Sequence, residues 1–282
     1  MIETILHEFP KYFPEINSAL GSGILIFARV LGFVRFAPVL NRKEMAGIIK
    51  VAFSLILTII LMMTVPVGAV ENGSSLFLGI ILNVAAGMII GFIANCIVQA
   101  ISAAGDMINM QMGLSSAMVL DPTVGTQVSI LGSFFGLLAV ILFIHIGGVY
   151  WLINALHRSF EVFPMYAHAI PMNKLINQEY LVTITSNILY VGLQIASPVL
   201  LATLGQDLIL GIISKTAPQV NVFQLSFLFK PVLGAAILLW IMPIIVNVIN
   251  DYFISFAKIF YEIFIKYFLR HIIKVQKRGV QK

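Results

Sequence analysis

The hydrophobic positions of this chain fall into long stretches separated by short polar segments. Because a helix needs about 20 residues to cross the hydrocarbon of a bilayer, the pattern predicts an all-α, polytopic membrane protein with about six long helices. The longer stretches also carry polar side chains, so we expect partly broken helices that protein shields from lipid. The stretches cover roughly residues 19–40, 48–68, 76–104, 128–156, 180–214 and 222–250.

The segment 105–127, in the middle of the chain, departs from this pattern. From Ile108 to Leu114 its apolar residues alternate with polar residues and glycine, and a period of two is typical of extended backbone. Extended backbone cannot face lipid, because its N–H and C=O groups would lack partners. We therefore predict a non-helical segment that is buried in protein or lines a wet cavity. Asp121 and Pro122 would start the next helix.

Two interpretations of this segment are open. It is either an ordinary loop with methionine as filler, or a deformable barrier inside a pore. Methionine suits a barrier because its unbranched side chain refills irregular gaps after a movement, and glycine adds backbone freedom. The candidate barrier residues are Gly105, Met107, Ile108, Met110, Gln111, Met112, Gly113, Leu114 and Met118.

Charged residues inside the apolar stretches need protein partners. Arg29 lies within the first stretch, where a charge costs about 2.5–3.5 kcal/mol on insertion scales. We predict that Arg29 is buried and paired with Asp106, Asp207 or a carboxylate of another chain. Asp207 and Lys215 share one helix face but are two turns apart, so each is expected to meet a different partner.

The segment 205–231 is predicted to be a broken, polar, buried hairpin. Pro218 pushes the preceding residue out of the helical region, and Asn221 offers side-chain hydrogen bonds where backbone bonds are lost. Elsewhere, two pairs of glycines four residues apart favour close helix packing. These pairs are Gly87 with Gly91, and Gly132 with Gly136.

Composition restricts the class further. The chain is 60% hydrophobic and 10% charged, with a net charge of +5 and one cysteine, which excludes a soluble domain and an intramolecular disulfide. The residues 251–282 form a basic, aromatic tail, predicted to be an amphipathic helix on the cytoplasmic side. Nucleic-acid binding is not expected, because the rest of the chain is apolar.

The chain carries no Walker-type loop, GxSxG, HExxH or CxxC sequence, so we predict no enzyme activity, no cofactor and no metal. A stand-alone solute or ion transporter would explain the charges in apolar stretches, although clear repeat symmetry is missing. A membrane enzyme is the third class considered.

Three blocks of sequence stand out together. The central block is GDMINMQMGLSSAMVLDPTVGTQVSIL, and the other two are RVLGFVRFAPVL and ASPVLLATLGQDLILGIISKTAPQVNVF. They resemble the FliR/SctT/YscT family of type III export-gate membrane proteins, and its flagellar branch above all. Asp106 stands where the family often has glutamate, and Asn109 stands where glycine is frequent.

The resemblance implies one export-gate domain over 1–282, with helices arranged as hairpins in a spiral assembly. It implies N-terminal helices in 1–104, a pore plug in 105–127, C-terminal helices in 128–250 and the tail after them. The implied role is an inner-membrane subunit of the flagellar export gate at the basal body, which passes unfolded flagellar proteins. Implied partners are FliP-like and FliQ-like membrane subunits and an FlhB-like export-switch protein. The equivalent subunit of a virulence-type secretion system is an alternative.

Overall fold

The computed structural model describes residues 14–42, 45–65, 76–115, 129–166 and 178–279. All regular secondary structure in these ranges is helical, as the apolar stretches predict. The helices are α1 (Pro14–Phe36), α2 (Gly47–Thr64), α3 (Leu76–Gln111), α4 (Ile130–His145), α5 (Gly148–Val162), α6 (Gln178–Thr216) and α7 (Val222–Gly279).

Five of these helices, α1, α2, α3, α6 and α7, are long and apolar enough to cross a membrane. The pair α4 and α5 reaches that length only when the two helices are joined across their break. Only 22% of the apolar window of α2 and 28% of that of α3 are buried, so most of the apolar surface of these two helices lies on the outside of this chain. The predicted all-α polytopic membrane protein is confirmed.

The fourth apolar stretch does not form the single helix expected from 128–156. Its helix ends at His145, and a second helix starts at Gly148. Gly147 has a φ of 79°, a left-handed conformation that glycine adopts without steric strain. The glycine pair at 147–148 was the sequence signal for this break.

The chain divides into two compact units, and the first comprises Met1–Asn95, Gly148–Asn177 and Ala257–Lys282. Within it, α1 and α3 touch through their backbones. A Cβ on Gly87 would overlap the carbonyl oxygen of Arg29, and a Cβ on Gly91 would lie 2.6 Å from the carbonyl oxygen of Phe33. The close packing predicted for these two glycines is confirmed, because no larger residue fits this interface.

The second unit comprises Cys96–Gly147 and Gln178–Phe256. It contains the end of α3, all of α4 and α6, and the first part of α7. Its buried side chains include Phe143 and Phe253, whose ring centroids lie 5.4 Å apart in an edge-to-face pair. Prolines interrupt two of its helices without ending them, namely Pro198 in α6 and both Pro231 and Pro243 in α7.

Candidate functional site

The C-terminal end of α3 carries most of the candidate barrier residues. The non-helical segment predicted for 105–127 is wrong over 105–111, and with it the extended conformation predicted for 108–114 is wrong over Ile108–Gln111, because α3 continues to Gln111. The buried residues Ile101, Ala104, Ile108 and Met112 recur every three or four positions, which is a helical stripe. The seven-residue window that suggested a period of two was too short to separate the two patterns.

This helical geometry divides the predicted apolar side into two opposite faces. Ile108 and Met112 point into the unit and are 0% and 3% exposed, whereas Met110 is 74% exposed. Met107 and Gln111 are half-buried. The inward pair therefore anchors the end of α3, while Met110 presents an apolar side chain to the outside of this chain.

Gly113 ends α3 in a Schellman motif. Its φ is 73°, its N–H donates to the carbonyl oxygen of Met110 at 3.0 Å, and the N–H of Leu114 donates to that of Asn109 at 3.2 Å. These two bonds satisfy carbonyl groups that a helix end otherwise leaves without partners. The role of Gly113 is thus a helix stop, more specific than the general freedom inferred from sequence.

Asn109 ties this turn to the start of α4. The side chain is 2% exposed, its Nδ2 donates to Ser115 Oγ at 3.0 Å, and its Oδ1 accepts a long hydrogen bond of 3.5 Å from the N–H of Leu131. The two ends of the intervening segment are therefore held by one buried amide. Asn109 was known only as a departure from the family pattern, and its bridging role was not predicted.

The first turn of α4 packs tightly against α3. Ser129 caps α4, its Oγ accepting from the N–H of Gly132 at 2.9 Å. A Cβ on Gly105 would lie 2.5 Å from the carbonyl oxygen of Leu131, and one on Gly132 would overlap the carboxylate of Asp106. Gly105 and Gly132 therefore act as contact points between helices. Asp106 itself is exposed on this side of α3.

Three candidate residues, Met118, Asp121 and Pro122, lie in 116–128, outside the described residues. The helix start predicted at Asp121 and Pro122 falls there as well. The next helix in the described residues is α4, which begins at Ile130 and is capped by Ser129.

Met112 occupies a notch on α7 that glycine leaves open. A Cβ on Gly234 would lie 2.5 Å from Met112 Cγ, 2.8 Å from its Sδ and 2.9 Å from its Cε. The position of Gly234 was not singled out from sequence. The only available signal was a glycine inside an apolar helix run, which indicates a close approach of some neighbour.

Arg29 is buried, as predicted, but its partners in the described chain are not carboxylates. It is 0% exposed. Its Nε and Nη2 donate to Asn83 Oδ1 at 3.0 and 2.7 Å, its Nη1 donates to Ser159 Oγ at 3.2 Å, and Nη2 also donates to the carbonyl oxygen of Phe163 at 2.8 Å. The guanidinium carbon lies 4.1 Å from the centre of the Phe160 ring, a cation–π contact.

The predicted pairing of Arg29 with Asp106 or Asp207 is therefore wrong. In a buried ion pair both the guanidinium and the carboxylate lose their hydration. Here Arg29 bonds to neutral oxygens and contacts an aromatic ring, so only one charged group is dehydrated. Asn83 is held in place by donating through Nδ2 to the carbonyl oxygens of Gly79, at 2.8 Å, and Met165, at 2.9 Å. This group joins α1, α3 and α5 inside the first unit.

The break in the predicted hairpin 205–231 is confirmed. α6 ends at Thr216, before Pro218, and α7 begins at Val222. Asn221 Oδ1 accepts from the N–H of Gln224 at 3.2 Å, which caps α7 as its sequence position suggested. Lys215, Pro218 and Asn221 are all exposed on this chain, so burial of the hairpin inside an assembly stays a prediction.

Asp207 finds its partner on the other arm of this hairpin. Its Oδ1 lies 2.8 Å from Lys230 Nζ, and the two side chains are 40% and 19% exposed. The expectation that Asp207 and Lys215 would not pair with each other is met, and the ion pair joins α6 to α7.

Among the described residues, no group of three or more His, Cys, Asp or Glu side chains could hold a metal ion. The fold and these contacts define a polytopic membrane protein built from long, broken and closely packed helices. Its polar side chains fasten helices to one another.

The chain belongs to the family of bacterial export proteins, family 1, which it matches over residues 20–256. It is 28% identical over 222 residues to the flagellar biosynthetic protein FliR of Pectobacterium carotovorum subsp. carotovorum, covering 78% of this chain and 83% of that protein. It is 25% identical over 232 residues to the flagellar biosynthetic protein FliR of Bacillus subtilis (strain 168), covering 82% and 89%. It is also 27% identical over 239 residues to the surface presentation of antigens protein SpaR of Salmonella typhimurium, covering 83% and 86%.

Proposed function

We propose that this chain is one of the inner-membrane subunits of a flagellar type III export gate, located at the flagellar basal body. It forms part of the channel and of the plug through which unfolded flagellar proteins are exported, and it catalyses no reaction. The observation that carries this proposal is the similarity to flagellar biosynthetic proteins over most of both chains, 78% of this one and 83% of the first relative above.

The plug is assigned to the end of α3 and the segment that follows it. Ile108 and Met112 anchor this end inside the second unit, while the exposed Met110, together with Leu114 and Met118, is assigned to the apolar seal. Buried methionine excludes water by close contact, and its flexible side chain rearranges when a polypeptide passes. The anchored helix end thus supports a deformable barrier.

The outward faces of α6 and α7 support assembly with other membrane subunits. Leu208, Ile212, Phe223 and Val232 are between 63% and 72% exposed, and Lys215 lies on the same side of α6 as Leu208 and Ile212. Large apolar side chains exposed on membrane helices face either lipid or another subunit. We assign these faces to FliP-like and FliQ-like subunits and to an FlhB-like switch protein.

The first experiment deletes the gene from the bacterium that encodes this chain. The proposal expects loss of motility and of flagellar protein export, both restored by the wild-type gene. The similarity to SpaR favours a virulence-type secretion system as the second candidate. Loss of other secreted proteins with motility intact would establish that candidate instead.

The second experiment tests the plug. Residues 116–127 are replaced by a Gly/Ser linker of equal length, which keeps Asn109, Ser115 and the cap Ser129. The complex should assemble, as judged on native gels, but membrane conductance should rise several-fold. As a control, residues 66–75 are replaced by a Gly/Ser linker that has the same length as that segment. Wild-type conductance in the assembled 116–127 variant would rule out the plug.

A further inference from the structure

Asp106 on α3 holds its carboxylate against the first turn of α4. A Cβ on Gly132 would overlap Oδ1 of Asp106 and lie 2.7 Å from its Cγ. One turn earlier on α3, Ser102 Oγ donates to the carbonyl oxygen of Gly132 at 3.0 Å, which fixes this turn of α4 against α3. The carboxylate therefore has a defined position on the surface of the second unit.

The charge of this carboxylate is only partly compensated by its own chain. Among the residues that the structure describes, no Lys, Arg or His forms an ion pair with Asp106. The N-terminus of α4 attracts a negative charge, but a helix N-terminus carries only roughly half a positive charge. Because Asp106 is exposed, the rest of its charge is open to a partner outside this chain.

Large apolar side chains flank the carboxylate on both helices. Met110 lies one turn after Asp106 on the same face of α3 and is 74% exposed. On α4, Ile130 is 71% exposed and Phe134, one turn later, is 43% exposed. Such side chains on membrane helices face either lipid or another subunit. Whatever covers them also covers Asp106 and removes water from its carboxylate.

The chemistry of the carboxylate distinguishes these two kinds of cover. Lipid tails offer neither a hydrogen-bond donor nor a positive charge, so an ionised carboxylate among them is costly. A Lys or Arg side chain supplies both. A helix that carries such a residue among apolar ones would cover Met110 and Ile130 at the same time, so charge and apolarity together fit a second protein.

We propose that Asp106 forms an ion pair with a Lys or Arg of a neighbouring export-gate subunit, on a membrane helix whose apolar residues cover Met110, Ile130 and Phe134. This inference rests on the proposed function and adds one specific contact through which this chain joins the gate. The surface belongs to α3 and α4, whereas the faces assigned above to other subunits belong to α6 and α7.

Substitutions that separate charge from shape test the ion pair first. Asp106→Asn keeps the shape of the side chain and removes its charge. The amount of this chain that co-purifies with the other subunits should fall about ten-fold or more, because the partner's cation is left buried without a counter-ion. Asp106→Glu keeps the charge, so this matched control should retain most of the assembly. Wild-type assembly of Asp106→Asn would overturn the ion pair.

The isolated chain shows whether the carboxylate serves only its own fold. An exposed charge at a helix N-terminus contributes little, so the thermal midpoint of Asp106→Asn in detergent should lie within about 4 °C of the wild-type value. A larger fall would assign the carboxylate to the fold of this chain and overturn the intersubunit role.

Photo-cross-linking identifies the partner. The photo-reactive residue benzoylphenylalanine is incorporated in place of Ile130, which is exposed in the turn that contacts Asp106, and mass spectrometry locates the cross-linked peptide. We expect attachment to another membrane subunit within one helix turn of a Lys or Arg, and loss of this cross-link when Asp106→Asn is added. Attachment to lipid alone, or to an exported protein, would overturn the proposal.

A double-mutant cycle then tests whether the two charges meet. Replacing the located Lys or Arg by Met should lower assembly with the wild-type chain but cause no further loss with Asp106→Asn. Losses that multiply independently would show that the two residues are not paired. The wild-type gene is the reference: if it fails to restore export in the deletion strain, the proposed function fails, whereas a failed ion pair with export restored leaves the proposed function intact.

Discussion

Asn83 Oδ1 accepts two hydrogen bonds from the guanidinium of Arg29, at 3.0 Å from Nε and 2.7 Å from Nη2. Both side chains are 0% exposed, although they lie 54 positions apart in the chain. One amide oxygen thereby fixes a buried charge and joins α1 to α3.

Arg29→Ala should strongly destabilise the purified chain. The substitution leaves Asn83 Oδ1 and the carbonyl oxygen of Phe163 without these donors, and each unsatisfied buried group costs about 1–3 kcal/mol. The thermal midpoint in detergent should fall, and less protein should be recovered from membranes. Arg35→Ala is the control, since the hydrogen bond from Arg35 to Asn41 is exposed. Equal midpoints for the two variants would contradict the structural role of Arg29.

Gly87→Ala should separate α1 from α3. The new methyl group would overlap the carbonyl oxygen of Arg29 and lie 2.8 Å from the backbone nitrogen of Phe33, and backbone cannot rotate away as a side chain can. Overpacking of this kind costs about 1–3 kcal/mol. Gly211→Ala, where nothing lies within 4 Å, should leave the isolated chain unchanged or slightly more stable. Thermal melting of both variants in detergent tests this, and a midpoint for Gly87→Ala no lower than that for Gly211→Ala would contradict it.

Gly113→Ala should loosen the end of α3. Its φ of 73° is strained for alanine by roughly 1–2 kcal/mol. Hydrogen exchange at the amides of Gly113 and Leu114 should therefore speed up about five-fold or more in the purified chain. Gly136→Ala serves as the control inside a helix. Unchanged exchange at these amides would show that the Schellman turn does not need glycine.

The ion pair of Asp207 and Lys230 should make a small contribution to stability. Its side chains are partly exposed, and such pairs contribute about 0.2–1 kcal/mol. A double-mutant cycle with Asp207→Asn and Lys230→Met should give a coupling energy in that range for the isolated chain. A coupling of zero would show that α6 and α7 are held together by apolar contacts instead.

The spans and one helix break followed from sequence because they depend on local chemistry. Apolar length predicts a membrane helix, and Pro218 ends α6 by the steric effect of its ring on the residue before it. The burial of Arg29 was also predictable from sequence, since protein must separate a charge within an apolar stretch from lipid. In each case the cause lies within a few positions of its effect.

The side chains that contact Arg29 and Met112 could not be predicted from the sequence. Arg29 bonds to Asn83 and Ser159, and Met112 meets Gly234, all through contacts that span dozens of positions. Sequence alone ranks carboxylates as partners for arginine by charge, whereas the fold offered amide, hydroxyl and carbonyl oxygens. The conformation at Ile108 was misjudged for a different reason, since an alternation of only seven residues, about two helix turns, does not separate a strand pattern from a helix pattern.

The partners of Arg29 are made late during synthesis of the chain. Ser159 is added 130 residues after Arg29, so at about 5–20 residues per second the ribosome reaches it roughly 7 to 26 seconds later. During that interval α1 carries a charge that its own helix cannot neutralise. Arg29 therefore acquires its full set of hydrogen bonds only after α3 and α5 have been made, so the packing around α1 is completed late although α1 is synthesised early.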